Sequence, residues 1–283
     1  GHQYFARSGL IAAGNAELPN HTSEFKFQAS GKDGSGRPFL VVASERNGVT
    51  LEKTFILNTG SYVIDVMHRV TKNNAAVGPL VLYTELVRDG SKLDESEFYS
   101  TFTGPAVYTE AKKYQKVEFA DIKKKKVEVE KQSTTGYVAM VQHYFASAWI
   151  LPDGLTRNIS MDAVDIGSNM ADCCYRATLI APLEAIQPGQ SKTIAATFFA
   201  GPQEENNLEA IYPGLELVKD YGWLTIMAKP LFWLLDQLNS ILKNWGWSIV
   251  ALVVLLKAGF YWLNAHAYQS MAKMKAINPK IME

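Results

Sequence analysis

Residues 49–66 read VTLEKTFILNTGSYVIDV, two runs rich in β-branched and aromatic residues on either side of the turn sequence Asn58-Thr59-Gly60. Residues of these types favour strands, because their side chains pack well on a pleated, half-buried surface. A short segment containing Asn and Gly is typical of a tight turn. This stretch therefore predicts two strands joined by a turn.

The same pattern extends from about Ser23 to Gly201, where turn residues at 31–36 and 46–48 separate further runs. Many strands with short polar turns and almost no helix between them favour an antiparallel sandwich over an α/β fold. The predicted strands cover residues 25–28, 39–42, 49–56, 62–66, 80–86, 116–122, 127–130, 138–149, 174–180 and 193–199.

The composition excludes some classes of protein and of site. Lys+Arg and Asp+Glu are equal at 28 each, whereas a protein that follows a phosphate backbone normally needs a net positive face, so we expect no nucleic-acid partner. The two cysteines, Cys173 and Cys174, are adjacent. We expect two thiols on opposite faces of a strand, because a disulfide between neighbours strains the bond geometry. Two thiolates alone are also a poor metal site.

Motifs for catalysis are missing from the sequence. The five histidines are scattered, and no Gly-x-Ser-x-Gly, phosphate loop or paired-His metal motif occurs. His143 falls in a predicted buried strand and is interpreted as structural. The prediction is therefore no catalytic residue, no cofactor and no metal, although a site formed only in three dimensions stays open.

The chain changes character after residue 201. Residues 204–211 predict a short helix that ends before Pro213-Gly214. From Pro230 onward, apolar residues recur at helical spacing and form one stripe. A core helix would show the same stripe, but four nearby tryptophans favour a helix lying in the membrane interface. The apolar face of this interfacial helix includes Leu231, Phe232, Leu235, Leu238 and Leu242.

From Trp245 to about Leu263 the chain is apolar over nearly the 20 residues needed to cross a bilayer. A buried helix of a soluble protein is the alternative, which aromatic residues at both ends weaken. Lys273, Lys275 and Lys280 follow, and the positive-inside rule predicts that they face the cytoplasm. The β domain then lies on the opposite side of the membrane.

Lys257 lies inside this apolar span. A charge near the bilayer centre costs about 2.5–3.5 kcal/mol on insertion scales, so such residues usually face a water-filled cavity or a partner. A lysine near one surface could instead extend its ammonium to the interface. The functional interpretation is a positive charge that lines a hydrophilic recess.

Several segments together resemble the YidC-type family of membrane protein insertases. Residues 136–150, GYVAMVQHYFASAWI, are similar to a strand pair of that family's periplasmic domain. Five later segments resemble the entry into its membrane core and the start of its first cytoplasmic region. They are DYGWL at 220–224, PLF at 230–232, NWGWSI at 244–249, YQSMAKM at 268–274 and PKI at 279–281.

The resemblance implies a mainly β fold, an antiparallel β-super-sandwich similar to galactose mutarotase, in the periplasm of a Gram-negative bacterium. It implies insertion and folding of inner-membrane proteins, alone or with components of the Sec translocon, without nucleotide or metal. A hydrophilic groove open to the lipid bilayer holds one basic residue that receives polar parts of nascent membrane proteins, and Lys257 falls at that position. The family usually has Arg there, which can bind a carboxylate through two hydrogen bonds, whereas Lys is a point charge.

The predicted organisation has five parts. Residues 1–19 are a cloning remnant and linker, 20–220 the periplasmic domain, 221–244 the amphipathic interfacial helix, 245–265 the transmembrane helix and 266–283 the start of the first cytoplasmic region. Two other functions stay open. One is a membrane-anchored binding or scaffold module, and the other is a carbohydrate epimerase, which would need a His and a carboxylate in one cleft.

Overall fold

The computed structural model describes residues 3–12, 17–74, 77–91, 102–164, 174–219, 225–261 and residue 265. The chain divides into two units, Gly1–Asp220 and Tyr221–Glu283. The first unit contains all the described strands, and the second contains two helices.

The strands of the first unit pair in two antiparallel sheets, which confirms the predicted sandwich. The small sheet has the order β1-β6-β13-β12-β9, and its strands are β1 Tyr4–Ala12, β6 Leu80–Asp89, β13 Cys174–Pro182, β12 Arg157–Val164 and β9 Gln132–Ser133. The large sheet has the order β2-β3-β4-β5-β14-β11-β10-β7-β8. Its strands are β2 Lys26–Lys32, β3 Pro38–Arg46, β4 Val49–Leu57, β5 Val63–Lys72, β14 Gln190–Pro202, β11 Phe145–Ile150, β10 Tyr137–Val141, β7 Gly104–Thr109 and β8 Lys113–Lys116.

The core lies between the sheets. Leu86 of β6 and Leu179 of β13 pack with Val138 of β10 and Trp149 of β11, and all four are buried. Side chains of a strand alternate between its faces, so Leu82, Thr84 and Leu86 share the inner face of β6 and the residues between them point away from the large sheet. The indole Nε1 of Trp149 donates a hydrogen bond to the carbonyl of Glu85 at 3.2 Å.

A second apolar layer covers part of the outer face of the large sheet. It consists of α2 (Glu205–Ile211) and a 3-10 helix (Leu215–Val218), whose Leu208, Leu215 and Val218 are fully buried. This layer explains why all five residues of β10 are buried, since both faces of that strand are covered. The predicted helix at 204–211 is confirmed.

Five details differ from the predictions. Residues 116–122 are not one strand, because β8 ends at Lys116 and helix α1 (Phe119–Lys123) follows. Phe119 and Ile122, three residues apart, both pack against the core from one side of α1. Residues 127–130 form no strand, although Val127 and Val129 also pack against the core.

The other three differences concern a turn, the first strand and a cysteine. Residues 138–149 form the hairpin β10–β11, so His143 lies in the turn and not in a buried strand. Strand β1 lies within the segment that the sequence assigned to a linker, and it pairs with β6 along its whole length. Cys174 is disulfide-bonded rather than a free thiol, and the other cysteine of the chain, Cys173, lies outside the described residues.

Candidate functional site

The second unit carries the residues that the sequence selected. Helix α3 (Thr225–Leu242) contains the predicted interfacial stripe, and helix α4 (Trp245–Gly259) contains Lys257. The two helices contact each other. The predicted interfacial segment, 221–244, includes all of α3, while residues 221–224 lie outside the described part of the chain.

The stripe on α3 has the spacing of one helix face, since positions 231, 235, 238 and 242 recur every three or four residues. Leu231, Phe232, Leu235 and Leu238 are half-buried, whereas Leu242 is exposed. Trp233 is 63% exposed. The helix therefore presents both a partly covered apolar face and bare aromatic surface.

Two residues connect α3 to α4, and their conformations end one helix and begin the next. Lys243 has a φ of 49°, in the left-handed region that often terminates helices. Its N–H donates to the carbonyl of Asn239 at 2.8 Å. The side chain of Asn244 then accepts a hydrogen bond from the N–H of Trp247 at 3.2 Å, a typical helix N-cap.

Helix α4 exposes apolar side chains on several of its faces. Trp247, Val250, Val253, Val254 and Leu255 are each at least 44% exposed. A soluble protein rarely leaves such a surface bare, so another apolar phase or partner is expected to cover it. No helix among the described residues is both long and apolar enough to cross a bilayer. The described helix ends at Gly259, and residues 262–264 and 266–283, including the three predicted cytoplasmic lysines, lie outside the described part.

Lys257 is exposed in the last turn of α4. Within the described residues its ammonium has no ion-pair or hydrogen-bond partner. Leu255 and Leu256 precede it and Ala258 follows. The site therefore combines one unneutralised positive charge with an apolar helix surface.

Sequence reasoning missed a second cluster, on the face of the small sheet that points away from the core. Glu85 of β6 lies directly opposite Arg7 of β1, and Arg176 of β13 lies diagonally across from Glu85, two residues along from its direct partner Thr178. The Glu85 carboxylate is 3.8 Å from Arg7 Nη1, 3.6 Å from Arg176 Nη1 and 4.0 Å from His21 Nδ1. Burial raises the pKa of the Glu85 carboxyl, and the two arginines oppose that shift.

The loop at residues 17–23 brings His21 to this cluster. His21 Nε2 lies 3.4 Å from Arg7 Nη1, and its Nδ1 lies 2.7 Å from the Tyr83 hydroxyl. Because Arg can only donate, Nε2 accepts and the proton of the neutral ring is on Nδ1. Burial, followed by the charge of Arg7, lowers the pKa of His21, which favours this neutral form. A Cβ on Gly9 would lie 2.6 Å from the Cα of Asn20, so Gly9 permits the loop to approach β1.

No group of three or more His, Cys, Asp or Glu side chains in the described ranges is arranged to hold a metal ion.

Two family models together match nearly the whole chain. Residues 1–234 match the model of the YidC periplasmic domain, and residues 237–283 match that of the 60Kd inner membrane protein. The chain is 54% identical over 289 residues to the membrane protein insertase YidC of Polynucleobacter asymbioticus, covering 99% of this chain and 51% of the relative. It is 51% identical over 280 residues to that of Cupriavidus necator, covering 98% and 49%. The chain thus spans about half the length of these relatives.

Solved structures similar to the chain include a putative aldose 1-epimerase from Escherichia coli K12, at 13% identity and a TM-score of 0.39 over 68% of this chain and 75% of that one. A galactose mutarotase-like protein from Clostridium acetobutylicum has 8% identity and a TM-score of 0.40 over 70% of this chain and 79% of that one. Likenesses as distant as these carry no argument about activity.

Proposed function

The chain belongs to the YidC family of membrane protein insertases, and from this premise we propose that its parent protein inserts and folds inner-membrane proteins. Nascent membrane proteins are then its substrates, and the reaction needs no cofactor. The observation that carries the proposal is Lys257, an unpaired charge in a helix whose exposed surface is otherwise mostly apolar.

In this proposal residues 245–265 cross the membrane, and Lys257 faces a hydrophilic groove within it. Polar groups stranded in hydrocarbon cost several kcal/mol each, which opposes passage of a polar segment. A wet recess shortens the apolar path, and the ammonium attracts carboxylates of the passing segment. Partition of the substrate's own apolar helix into lipid then drives the process.

Helix α3 lies in the membrane interface in this proposal and couples the β domain to the bilayer. Its stripe of leucines and the exposed Trp233 support that role, since tryptophan is enriched at membrane surfaces. The Sec translocon enters the proposal as a partner through the family resemblance alone.

The test replaces Lys257 with Glu in the full-length protein and measures insertion of a dependent substrate by protease protection in cells depleted of the native protein. We expect impaired insertion by Lys257→Glu and retained insertion by Lys257→Arg, because only the first reverses the charge. Lys243→Glu, between α3 and α4, is the matched control for the same charge change and should insert normally. Normal insertion by Lys257→Glu would overturn the role of the charge.

A scaffold function is the second candidate, and strand β2 favours it. This strand forms one edge of the large sheet, and all seven of its residues are exposed. An exposed edge offers unpaired backbone groups to a strand of a partner protein. A photoreactive amino acid at Phe27 should then cross-link the full-length protein to a translocon subunit. The scaffold role and insertion are compatible.

A further inference from the structure

The cluster around Glu85 lies in a cleft on the outer face of the small sheet, remote in sequence from α3 and α4. The cleft has a volume of about 780 Å³, within the usual range for pockets that bind small molecules. Its polar lining comes from Arg7, His21, Glu85 and Arg176, and its apolar lining includes Phe5 and Val164. The proposed insertase function uses none of these residues.

The cleft contains polar atoms without partners. The Glu85 side chain is only 3% exposed, and its Oε1 accepts no hydrogen bond. The nearest side-chain nitrogens of Arg176, Arg7 and His21 lie 3.6–4.0 Å from the carboxylate, beyond hydrogen-bond distance. Arg176 Nε is likewise buried and makes no hydrogen bond. A buried polar atom left unsatisfied costs about 1–3 kcal/mol, so the protein alone satisfies these two side chains incompletely, and a polar ligand that bonds their open atoms is favoured here.

The charges in and beside the cleft balance. Arg7 and Arg176 carry two positive charges, Glu85 carries one negative charge, and Asp162, which lies beside the lining, supplies a second negative charge with its Oδ2 at 3.5 Å from Arg176 Nη2. His21 is held neutral by its burial and by the neighbouring Arg7. An anion would meet the Glu85 carboxylate and a cation would meet two guanidinium groups, so neither is favoured.

A hydroxyl group satisfies both kinds of partner, because it donates one hydrogen bond and accepts two. We propose that this cleft binds an uncharged, hydroxyl-rich ligand of the carbohydrate class. One ligand hydroxyl donates to the Glu85 carboxylate through Oε2, the oxygen that is not sealed from the cleft, and accepts from the Arg176 guanidinium, and a neighbouring hydroxyl accepts from Arg7. Hydrogen bonds to charged groups are about twice as strong as those between neutral groups, which suits a ligand without charge of its own.

The rim of the cleft supplies access and apolar contact. Arg176 is 35% exposed and His21 is 31% exposed, so both lie at the mouth, with Glu85 on the floor between them. Phe5 is 38% exposed, and the guanidinium carbon of Arg7 lies over its ring, 4.5 Å from the ring centroid. This arrangement holds Arg7 in place and offers an apolar wall to the C–H groups of a sugar ring.

The experiment is saturation-transfer NMR on the whole chain in lipid nanodiscs, with maltose, cellobiose, lactose and trehalose as probes. Glycoside detergents are avoided because their head groups would compete for the cleft. We expect transfer to at least one of the four sugars, with a Kd on the order of 1–10 mM. Absence of transfer to all four at about ten times that concentration overturns the proposal.

Variants assign the signal to the cleft. Glu85→Gln preserves the shape but removes the carboxylate, and Arg176→Gln removes the guanidinium at the rim; each should weaken binding roughly tenfold. Glu184→Gln is the matched control, because Glu184 is 88% exposed and lies outside the cleft, and it should bind as the parent does. If the thermal transition of Glu85→Gln shows that this variant is unfolded, binding by Arg176→Gln alone tests whether the sugar occupies the cleft.

Two further outcomes overturn the proposal. One is binding by both cleft variants with parental affinity. The other is displacement of the sugar by an equal concentration of sulfate, which would assign the cleft to anions. Since the readout is binding, failure of the insertion assay would leave this proposal standing, and the reverse also holds.

Discussion

His68 Nε2 lies 2.9 Å from Ser8 Oγ, in a hydrogen bond that joins the large sheet to the small one. His68 is fully buried on β5, and Ser8 is buried on β1. Beside them, the ammonium of Lys53 donates to the carbonyl of Ser8 at 2.7 Å. The interior of the sandwich therefore contains a small polar connection next to its apolar core.

This connection makes stability depend on pH. Burial, and then the charge of Lys53, lowers the pKa of His68 to about 3. Between pH 6.5 and about 3 the unfolded chain binds a proton at His68 that the native state does not, so stability falls as the pH falls. From pH 6.5 to 5 we expect a loss of about 2 kcal/mol from this residue, at about 1.4 kcal/mol per pH unit. Urea unfolding followed by circular dichroism measures it.

His68→Gln keeps a neutral hydrogen-bonding side chain and should remove the contribution of His68 to the slope of unfolding free energy against pH. Carboxylates whose pKa is lowered in the folded state, such as Asp89, lose their contribution to stability at pH values below this window. They therefore do not affect the slope between pH 6.5 and 5. His21 adds a change of the same sign, which subtraction of the two slopes cancels. An unchanged slope in His68→Gln would show that His68 does not carry this dependence.

Arg157 is fully buried, and its guanidinium connects two loops without a carboxylate at hydrogen-bond distance. It donates to the carbonyls of Leu155, Gly136, Leu151, Thr134 and Pro152. Arg157→Lys offers at most three donors in a different geometry, so several buried carbonyls lose their partner. We expect a loss of about 2–4 kcal/mol in the free energy of unfolding, measured with urea.

Arg46→Lys is the control for this substitution. Arg46 is 44% exposed and pairs with Glu17 at 3.3 Å. Surface ion pairs contribute about 1 kcal/mol or less, so this variant should stay close to the parent. Equal effects of the two substitutions would contradict the structural role of Arg157.

Alanine substitutions at Gly136 and Gly154 distinguish the cost of a strained backbone from the cost of a steric clash. Both have a positive φ, 94° and 87°. A Cβ on Gly136 would lie 1.8 Å from the carbonyl oxygen of Tyr108, whereas a Cβ on Gly154 would meet no atom within 4 Å. Gly154→Ala should cost about 1–2 kcal/mol for the left-handed backbone alone. Gly136→Ala should cost more than about 4 kcal/mol or prevent folding. Similar melting temperatures for the two variants would contradict the predicted difference in their stability.

Much of the first unit could be predicted from the sequence, because alternation and turn residues act locally. The strands at 39–42, 49–56 and 193–199 lie within observed strands, and the strand at 62–66 differs from β5 only by starting one residue early. Strand β1 was missed because Arg7 and Gly9 interrupt its apolar pattern, and only pairing with β6 reveals their places. Residues 116–122 were misread because Phe119 and Ile122 need a helical turn to reach the core together.

The cleft could not be predicted from the sequence. Arg7, Glu85 and Arg176 come from three strands that are distant along the chain, and only the pairing registers bring them together. The family could be predicted, because its segments are contiguous, and the model matches confirm it. They also confirm the predicted localisation, an inner-membrane protein with a periplasmic domain.

Topology can be tested by thiol labelling of intact cells. The full-length protein, with Cys173 and Cys174 replaced by Ser, receives one cysteine at Ser35 in the β2–β3 turn or at Lys275. An impermeant maleimide should label the first and not the second, which should react only after the inner membrane is permeabilised. Labelling of both sites in intact cells would place them on one side and contradict the crossing at 245–265.

The last prediction concerns the apolar face of α3. If this face lies in the membrane interface, a charge at Leu238 must enter the apolar layer, whereas a charge at Ser240, which is exposed on the same helix, stays in water. We expect Leu238→Asp to weaken binding of residues 1–244, which lack the proposed crossing segment, to vesicles of anionic and zwitterionic lipid by roughly tenfold or more, as measured by flotation. Ser240→Asp, which adds the same charge, should reduce binding far less, and this comparison removes the general repulsion between a carboxylate and anionic lipid. Equal losses would mean that α3 contacts lipid through no particular face, and the coupling role proposed for it would fall.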